Sequence, residues 1–229
     1  MLLYKKPQAL LFDLDGTLAD TIGQLAKAAQ KTAEALGIKV PSEETTKGYV
    51  GNGIQLLLCR IIAGSFEATA DDVDPELLKK AREFFNDFYT QGLNKDFAVY
   101  PYAEETLRWC KEAGIKLAVV TNKPHMFAKP LLEYMGLSAY FDFILGGEIL
   151  DKRKPEVEPL LYVLDKLKVK AQDAVMVGDS ANDMLPALKL DMPSVFFTFG
   201  YCRGSIDFSK PAYKFSSWYD LLELLKTLP

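Results

Sequence analysis

Residues 8 to 21 read QALLFDLDGTLADT, four apolar side chains running straight into two aspartates with a glycine and a threonine behind them. Ala9-Leu10-Leu11-Phe12 has the unbroken apolar character of a strand buried on both faces of a parallel sheet. An unpaired carboxylate at the end of such a strand is costly. The charge on Asp13 and Asp15 therefore needs compensation, and the rest of the chain has to supply it.

Beyond Ile115, short apolar runs alternate with helical patterns. IKLAVVTN, DFILGG, DAVMVGD and PSVFFTF read as strands, and MFAKPLLEYMG, EVEPLLYVLDKLK and NDMLPALKL as the helices between them. That alternation predicts parallel βαβ units. The fold class expected is α/β, a Rossmann-like parallel sheet core. Each run ends in polar or glycine residues, and ligands of open α/β sheets bind beyond those carboxyl ends.

Residues 20 to 97 break the alternation with helices alone. Ile22, Leu25, Ala26, Ala29, Ala33 and Leu36 fall at helical spacing, with Asp20 as the expected N-cap and Gly37 past the end. Ile54, Leu57, Leu58, Ile61 and Ile62 form a second stripe. Asp74-Pro75 opens a third helix that runs to Gly92, with Phe84, Phe85, Phe88 and Tyr89 as apolar core. The expected division is 1–19 and 98–229 as the core and 20–97 as an inserted helical cap over the end of the first strand.

With 229 residues, 49% of them hydrophobic and a net charge of −4, the chain has an ordinary globular composition. No block of consecutive Lys or Arg marks a nucleic-acid surface. No segment is apolar for long enough to span a bilayer, and the N-terminus lacks a secretory pattern. Cys59, Cys110 and Cys202 are widely spaced with no C-x-x-C, which fits a reducing cytosol and three packing residues. The expected location is cytoplasmic, as a monomer or homodimer.

Four strand ends converge on one chemistry. The first carries Asp13 and Asp15, two residues apart on an extended chain and so facing the same way. Thr121 and Asn122 end the second, Lys154 follows DFILGG, and Asp179 ends the fourth with Ser180 and Asp183 at a helix start. Carboxylates gathered at one locus take up protons unless a cation neutralises them. Hard oxygen ligands without a His or Cys pair favour Mg²⁺. Hydroxyl, amide and ammonium groups beside that cation suit a phosphoryl group. Asp13 is then a candidate nucleophile, and a second carboxylate is placed to act as acid and then base.

FDLDGT, TNKP, RKP and VGDSANDMLPA, in this order with a helical insertion after the first, resemble the haloacid dehalogenase superfamily of phosphohydrolases. The resemblance implies Asp13 as nucleophile and metal ligand, and Asp15 as general acid/base whose backbone carbonyl also binds the metal. It further implies Thr121 and Lys154 at the phosphate, with Gly16, Thr17 and Asn122 beside them, and Asp179 as metal ligand with Asp183 alongside. VGNGIQLLLCR, TNKPHMFAKPLLE, GGEILDKRKPEVEPLL and FTFGYCRGS are similar to one branch, the bacterial phosphoglycolate phosphatases. That similarity implies Mg²⁺-dependent hydrolysis of 2-phosphoglycolate through an aspartyl-phosphate. The chain departs from the branch at Val157, where a second proline is usual, and at Cys202, where an asparagine is.

The blander readings are a strand-end turn for Asp13-x-Asp15-Gly16, a loop for Thr121-Asn122, a solvated charge run for Lys152-Arg153-Lys154, and helix capping for Asp179 to Asp183. Gly51-Asn52-Gly53 reads either as a turn or, by the resemblance, as a substrate-facing loop. Arg60, on the edge of an apolar stripe, reads as solvated or as a donor to the substrate's far carboxylate. His125, the single histidine, reads as surface or supporting. A phosphatase of another small phosphorylated metabolite, a sugar phosphate or pyrophosphate, is the alternative. A phosphosugar mutase would need a cap histidine that residues 20–97 lack, a dehalogenase needs neither Asp15 nor metal, and a non-catalytic phosphate-binding module would not need the full set of carboxylates.

Overall fold

Ala9–Phe12 forms strand β1, and none of its four side chains reaches solvent. The computed structural model describes residues 3–201 and 213–229. After β1 come β2 (Ala19–Asp20), α1 (Ile22–Leu36), α2 (Glu43–Tyr49), α3 (Ile54–Ala63), α4 (Pro75–Gly92) and β3 (Ala98–Val99). Then follow α5 (Ala103–Glu112), β4 (Lys116–Pro124), α6 (His125–Tyr134), β5 (Phe143–Gly147), α7 (Glu158–Leu167) and β6 (Ala174–Gly178). The last described elements are α8 (Ala181–Lys189), β7 (Ser194–Phe197), β8 (Tyr213–Phe215) and α9 (Trp218–Thr227).

Six strands form one sheet in the order β5-β4-β1-β6-β7-β8, every pair parallel. This is the α/β parallel-sheet fold that the alternating pattern predicts. Phe12 pairs with Val119 on one side and Val177 on the other, so β1, β4 and β6 run in step and release their next residues at the same edge. One face of the sheet packs Leu11, Val120 and Met176 against Leu160, Val163 and Leu164 of α7. On the C-terminal helix α9, Trp218 is buried and stacks on Phe12 at 5.4 Å and against Phe197 at 5.1 Å.

The chain divides into two compact units, 1–20 with 99–229 and 21–98. The second unit is helical. Its α1 ends at Gly37, whose φ of +66° supplies the left-handed turn. In α4, Asp74 caps the helix by accepting from the Glu76 and Leu77 N–H groups at 2.8 and 2.9 Å, and Pro75 takes the first position. Phe85 and Tyr89 are buried, while Phe84 and Phe88 are half-buried.

Two expectations shift. The N-cap position of α1 is Thr21, without a side-chain cap bond, because the Asp20 carboxylate instead accepts from Tyr201 Oη at 2.8 Å. Beyond the last expected strand the structure adds β8 and α9. Cys59 and Cys110 are free and buried, and Cys202 lies outside the described residues.

Candidate functional site

Three neighbouring strands deliver the site. The Asp13 N–H still belongs to the ladder, donating to Val177 O at 3.0 Å, and the chain then turns. The Leu18 N–H donates back to Leu14 O at 2.9 Å and the Gly16 N–H to Ala19 O at 2.9 Å, so a tight loop closes directly behind Asp13. Gly16 sits at φ +82°, and a Cβ there would come within 2.5 Å of Asp179 Oδ2. Its absence of side chain lets the carboxylate of the β6 end stand over the loop.

Asp13, Asp179 and Asp183 each present an oxygen within 4.8 Å of the others. Lys154 enters from the segment after β5, 1% exposed, with Nζ 3.1 Å from Asp13 Oδ1 and 2.6 Å from Asp183 Oδ1. Asp183 also caps its helix, its Oδ2 accepting from Ser180 N at 3.0 Å and Ser180 Oγ at 2.7 Å. Capping and site assembly are thus one arrangement. Asp179 is fixed from both sides, Oδ1 by the Thr17 hydroxyl at 3.3 Å and Oδ2 by the Tyr201 N–H at 2.6 Å. The latter approach requires Gly200, where a Cβ would meet Asp179 Oδ2 at 2.1 Å.

Asp15 has a different partner. Its two oxygens lie 3.0 and 3.2 Å from Lys123 Nζ, at the end of β4, and its side chain stands outside the carboxylate trio. Thr121 Oγ1 accepts the Lys123 N–H at 3.2 Å, and a hydroxyl that accepts in this way keeps a proton to donate. Lys123 is the residue that the sequence reading misses.

Three of the residues expected at the phosphate have partners of their own. The Thr17 hydroxyl donates to Asp179 and its carbonyl accepts from Trp218 Nε1 at 2.9 Å, so Thr17 and Gly16 shape the acidic cluster. Asn122 Nδ2 donates to Lys154 O at 2.9 Å, tying the lysine's backbone to β4. His125 is half-buried, Nδ1 accepting the Gly146 N–H at 3.3 Å.

In the helical unit, Arg60 is 8% exposed, buried and not solvated. Nε donates to Phe66 O at 2.8 Å, one terminal nitrogen to Tyr49 O at 2.7 Å and the other to Asn52 Oδ1 at 3.3 Å. The guanidinium also lies 4.4 Å from the centre of the Phe66 ring. Three of its five N–H groups thus bond within the unit and brace the Asn52 loop.

The electrostatics follow from this packing. Burial lifts the Asp13 carboxyl to about 6 against the pull of Lys154, with Asp183 and Asp15 adding to the rise. Asp179 is raised well above the carboxylate range by burial and then by Asp183 and Asp13. For Lys154 burial alone pulls the ammonium down, but Asp13 and Asp183 outweigh it and hold it above the usual lysine range. When ionised, the four acids set against Lys123 and Lys154 leave two negative charges uncompensated among the described residues. Asp13 Oδ1, moreover, is buried and accepts no hydrogen bond of good geometry, despite its 3.1 Å approach to Lys154. An orphaned oxygen, hard donors and a charge deficit of two fit one hard divalent cation.

Comparison with known proteins gives the family. The family model of haloacid dehalogenase-like hydrolases matches residues 10–197. The chain is 40% identical over 217 residues to the phosphoglycolate phosphatase of Vibrio parahaemolyticus, covering 94% of this chain and 95% of that protein. It is 39% identical over 199 residues to that of Pseudomonas fluorescens, covering 86% and 72%. The crystal structure of a predicted phosphoglycolate phosphatase from Haemophilus somnus superposes with a TM-score of 0.87 at 30% identity, covering 95% of this chain and 97% of that one. The chain belongs to the haloacid dehalogenase-like hydrolases, and within them it is a phosphatase, a hydrolase of phosphoric monoesters.

Proposed function

We propose that the protein hydrolyses 2-phosphoglycolate to glycolate and phosphate through an aspartyl-phosphate on Asp13, with Mg²⁺ at the carboxylate cluster. The observation that carries this reading is Asp13 Oδ1, buried and orphaned beside Lys154 at the end of the central strand. The substrate itself comes from the names of the similar proteins. Asp13 and Asp179, with Asp183 beside them, would hold the cation, which supplies charge neutralisation and orientation of a phosphoryl oxygen.

In the first step the Asp13 carboxylate attacks phosphorus and the bond from phosphorus to the ester oxygen breaks. Asp15 gives that leaving oxygen its proton. Lys154 and Thr121 donate to the phosphoryl oxygens, whose charge grows in the transition state. In the second step Asp15 takes the proton back from a water molecule, the water oxygen bonds to phosphorus, and Asp13 leaves as carboxylate. Dividing one hard displacement into two is the benefit of a covalent intermediate. The helical unit acts as the cap that sets substrate choice, since a phosphate cradle alone accepts any monoester. Within the cell we place the enzyme in the cytoplasm, on its cysteine usage.

A panel of phosphorylated metabolites, assayed for phosphate release with Mg²⁺ and with excess chelator, tests this. Phosphoglycolate should lead the panel, chelator should silence it, and Asp13→Asn should remove turnover altogether. A leading sugar phosphate or pyrophosphate would reassign the substrate and keep the chemistry, whereas full turnover by Asp13→Asn would end the covalent route.

A further inference from the structure

The chemistry proposed above gives Lys154 a task and Lys123 none, yet both are buried to the same degree, at 1% and 2% side-chain exposure. A buried ammonium is costly to keep without a close anionic partner. Lys123 Nζ has one in Asp15, at 3.0 Å from one oxygen and 3.2 Å from the other. Meeting both oxygens from a single point restrains rotation about the bond to the carboxyl group, which a one-oxygen contact does not. That torsion is otherwise broad for an aspartate. The lysine is itself held in place, because its N–H donates to Thr121 Oγ1 at 3.2 Å and its neighbour Asn122 donates to Lys154 O at 2.9 Å.

The two lysines therefore divide the acids between them. Lys154 serves Asp13 and Asp183, and Lys123 serves Asp15. Asp15 is the only member of the set whose task is to meet an atom that changes between the two steps, first the leaving oxygen and then a water. Its side chain is 13% exposed, as open as the 14% of Asp13, and a freely turning carboxylate there could face away.

We propose that Lys123 is the positioning residue of Asp15, holding its carboxylate in the orientation that both proton transfers require. The proposal rests on the acid/base role given to Asp15 above. It differs from two other tasks a buried lysine could have. A lysine that only balances charge would slow every substrate alike. A lysine that read the substrate's second anionic group would change KM for phosphoglycolate and leave ethyl phosphate untouched.

The test uses single-turnover rates of the first, phosphoryl-transfer step on ethyl phosphate and 4-nitrophenyl phosphate, because the second step is common to both esters, alongside KM for phosphoglycolate. Protonation matters for the alkyl leaving group and little for nitrophenolate. A misplaced catalytic group costs on the order of 10²-fold, so Lys123→Met should lose about that factor on ethyl phosphate and under about tenfold on nitrophenyl phosphate. KM should stay within about twofold, because ground-state binding is untouched. Lys123→Arg, whose fork can also meet two oxygens, should recover part of the loss. Asp15→Asn supplies the reference for a site without its acid, and the double variant Lys123→Met with Asp15→Asn should be no slower than Asp15→Asn alone.

Equal losses on both substrates by Lys123→Met, while Asp15→Asn is selective, would overturn the positioning role and leave the acid/base reading standing. A rise in KM confined to phosphoglycolate would overturn it in favour of substrate recognition. An unselective Asp15→Asn would take down the acid/base reading and the proposal together. Should Lys123→Met fail to fold, Lys123→Arg keeps the buried charge and decides the matter, since its residual loss must also fall on the alkyl ester.

Discussion

Asp13 holds its proton higher than an ordinary aspartate, at about 6 against 3.8, because burial outweighs the attraction of Lys154. With the folded value above the unfolded one, the native state binds more protons between these two pH values. Stability of the metal-free protein must then fall as pH rises through that window. At about 1.4 kcal/mol per unit, the full contribution is about 3 kcal/mol at most. Asp13→Asn removes the titrating group. In excess chelator the variant should melt above wild type at pH 7.5 and level with it near pH 4, and Mg²⁺ should raise the melting temperature of wild type far more than that of the variant. Melting curves that run parallel at every pH would show that Asp13 is not strained by its burial. At this scale the sequence was legible where charge meets an apolar strand. Asp13 and Asp179 could be found because each stands at the end of a run that ought to be dry, and Lys154, inside a charge run, only because the motif RKP falls in order between them. Lys123 could not be separated from a surface lysine by type or spacing, and only the distances to Asp15 give it a place. Thr17 and Asn122 show the reverse, since both lie at the site but spend their polar groups on Asp179 and Lys154.

Among the elements, those with strong periodicity and a capping signal were legible to within a residue or two. Helix α4 starts where Asp74-Pro75 predicts and α1 stops where Gly37 predicts. Helix α2, by contrast, is seven residues of EETTKGY with one buried side chain, so it offers no apolar stripe to read. What fixes it is tertiary. Arg60, one helix further on, donates to Tyr49 O at the end of α2, to Asn52 in the connecting loop and to Phe66 O beyond α3. Arg60→Ala would leave those acceptors without their donor. A hydrogen bond involving a charged group contributes on the order of 1.5 to 3 kcal/mol, so the substitution should lower the stability of the helical unit by at least that much. Because the guanidinium braces this segment, kcat/KM should fall in parallel for phosphoglycolate and ethyl phosphate. A loss confined to phosphoglycolate would restore Arg60 as a reader of the carboxylate.

Over the whole molecule, the chain crosses between its two units only twice, after Asp20 and before Val99. Each unit has its own apolar interior. In the helical one Phe85 is fully buried and stacks on Tyr89 at 5.5 Å, while the Tyr89 hydroxyl donates to Gln24 and Gln24 Nε2 to Lys95 O at 3.0 Å. Truncating a buried phenylalanine typically costs about 3–5 kcal/mol, enough to melt a small helical unit ahead of its neighbour. The sequence places a probe for this without engineering. Its two tryptophans, Trp109 on α5 and Trp218 on α9, both belong to the sheet unit, so their fluorescence follows that unit while far-ultraviolet dichroism follows both. Phe85→Ala should therefore lose part of its helical dichroism at a temperature where tryptophan emission is still native, a failure of the coincidence that marks two-state unfolding. Mg²⁺, which the proposed chemistry seats on carboxylates of the sheet unit, should shift the fluorescence transition upward and leave the early dichroism transition where it is. Coincident transitions in the variant, moving together with Mg²⁺, would mean that the units unfold as one cooperative body and that the stability of the helical insertion is bound to the chemistry of the site.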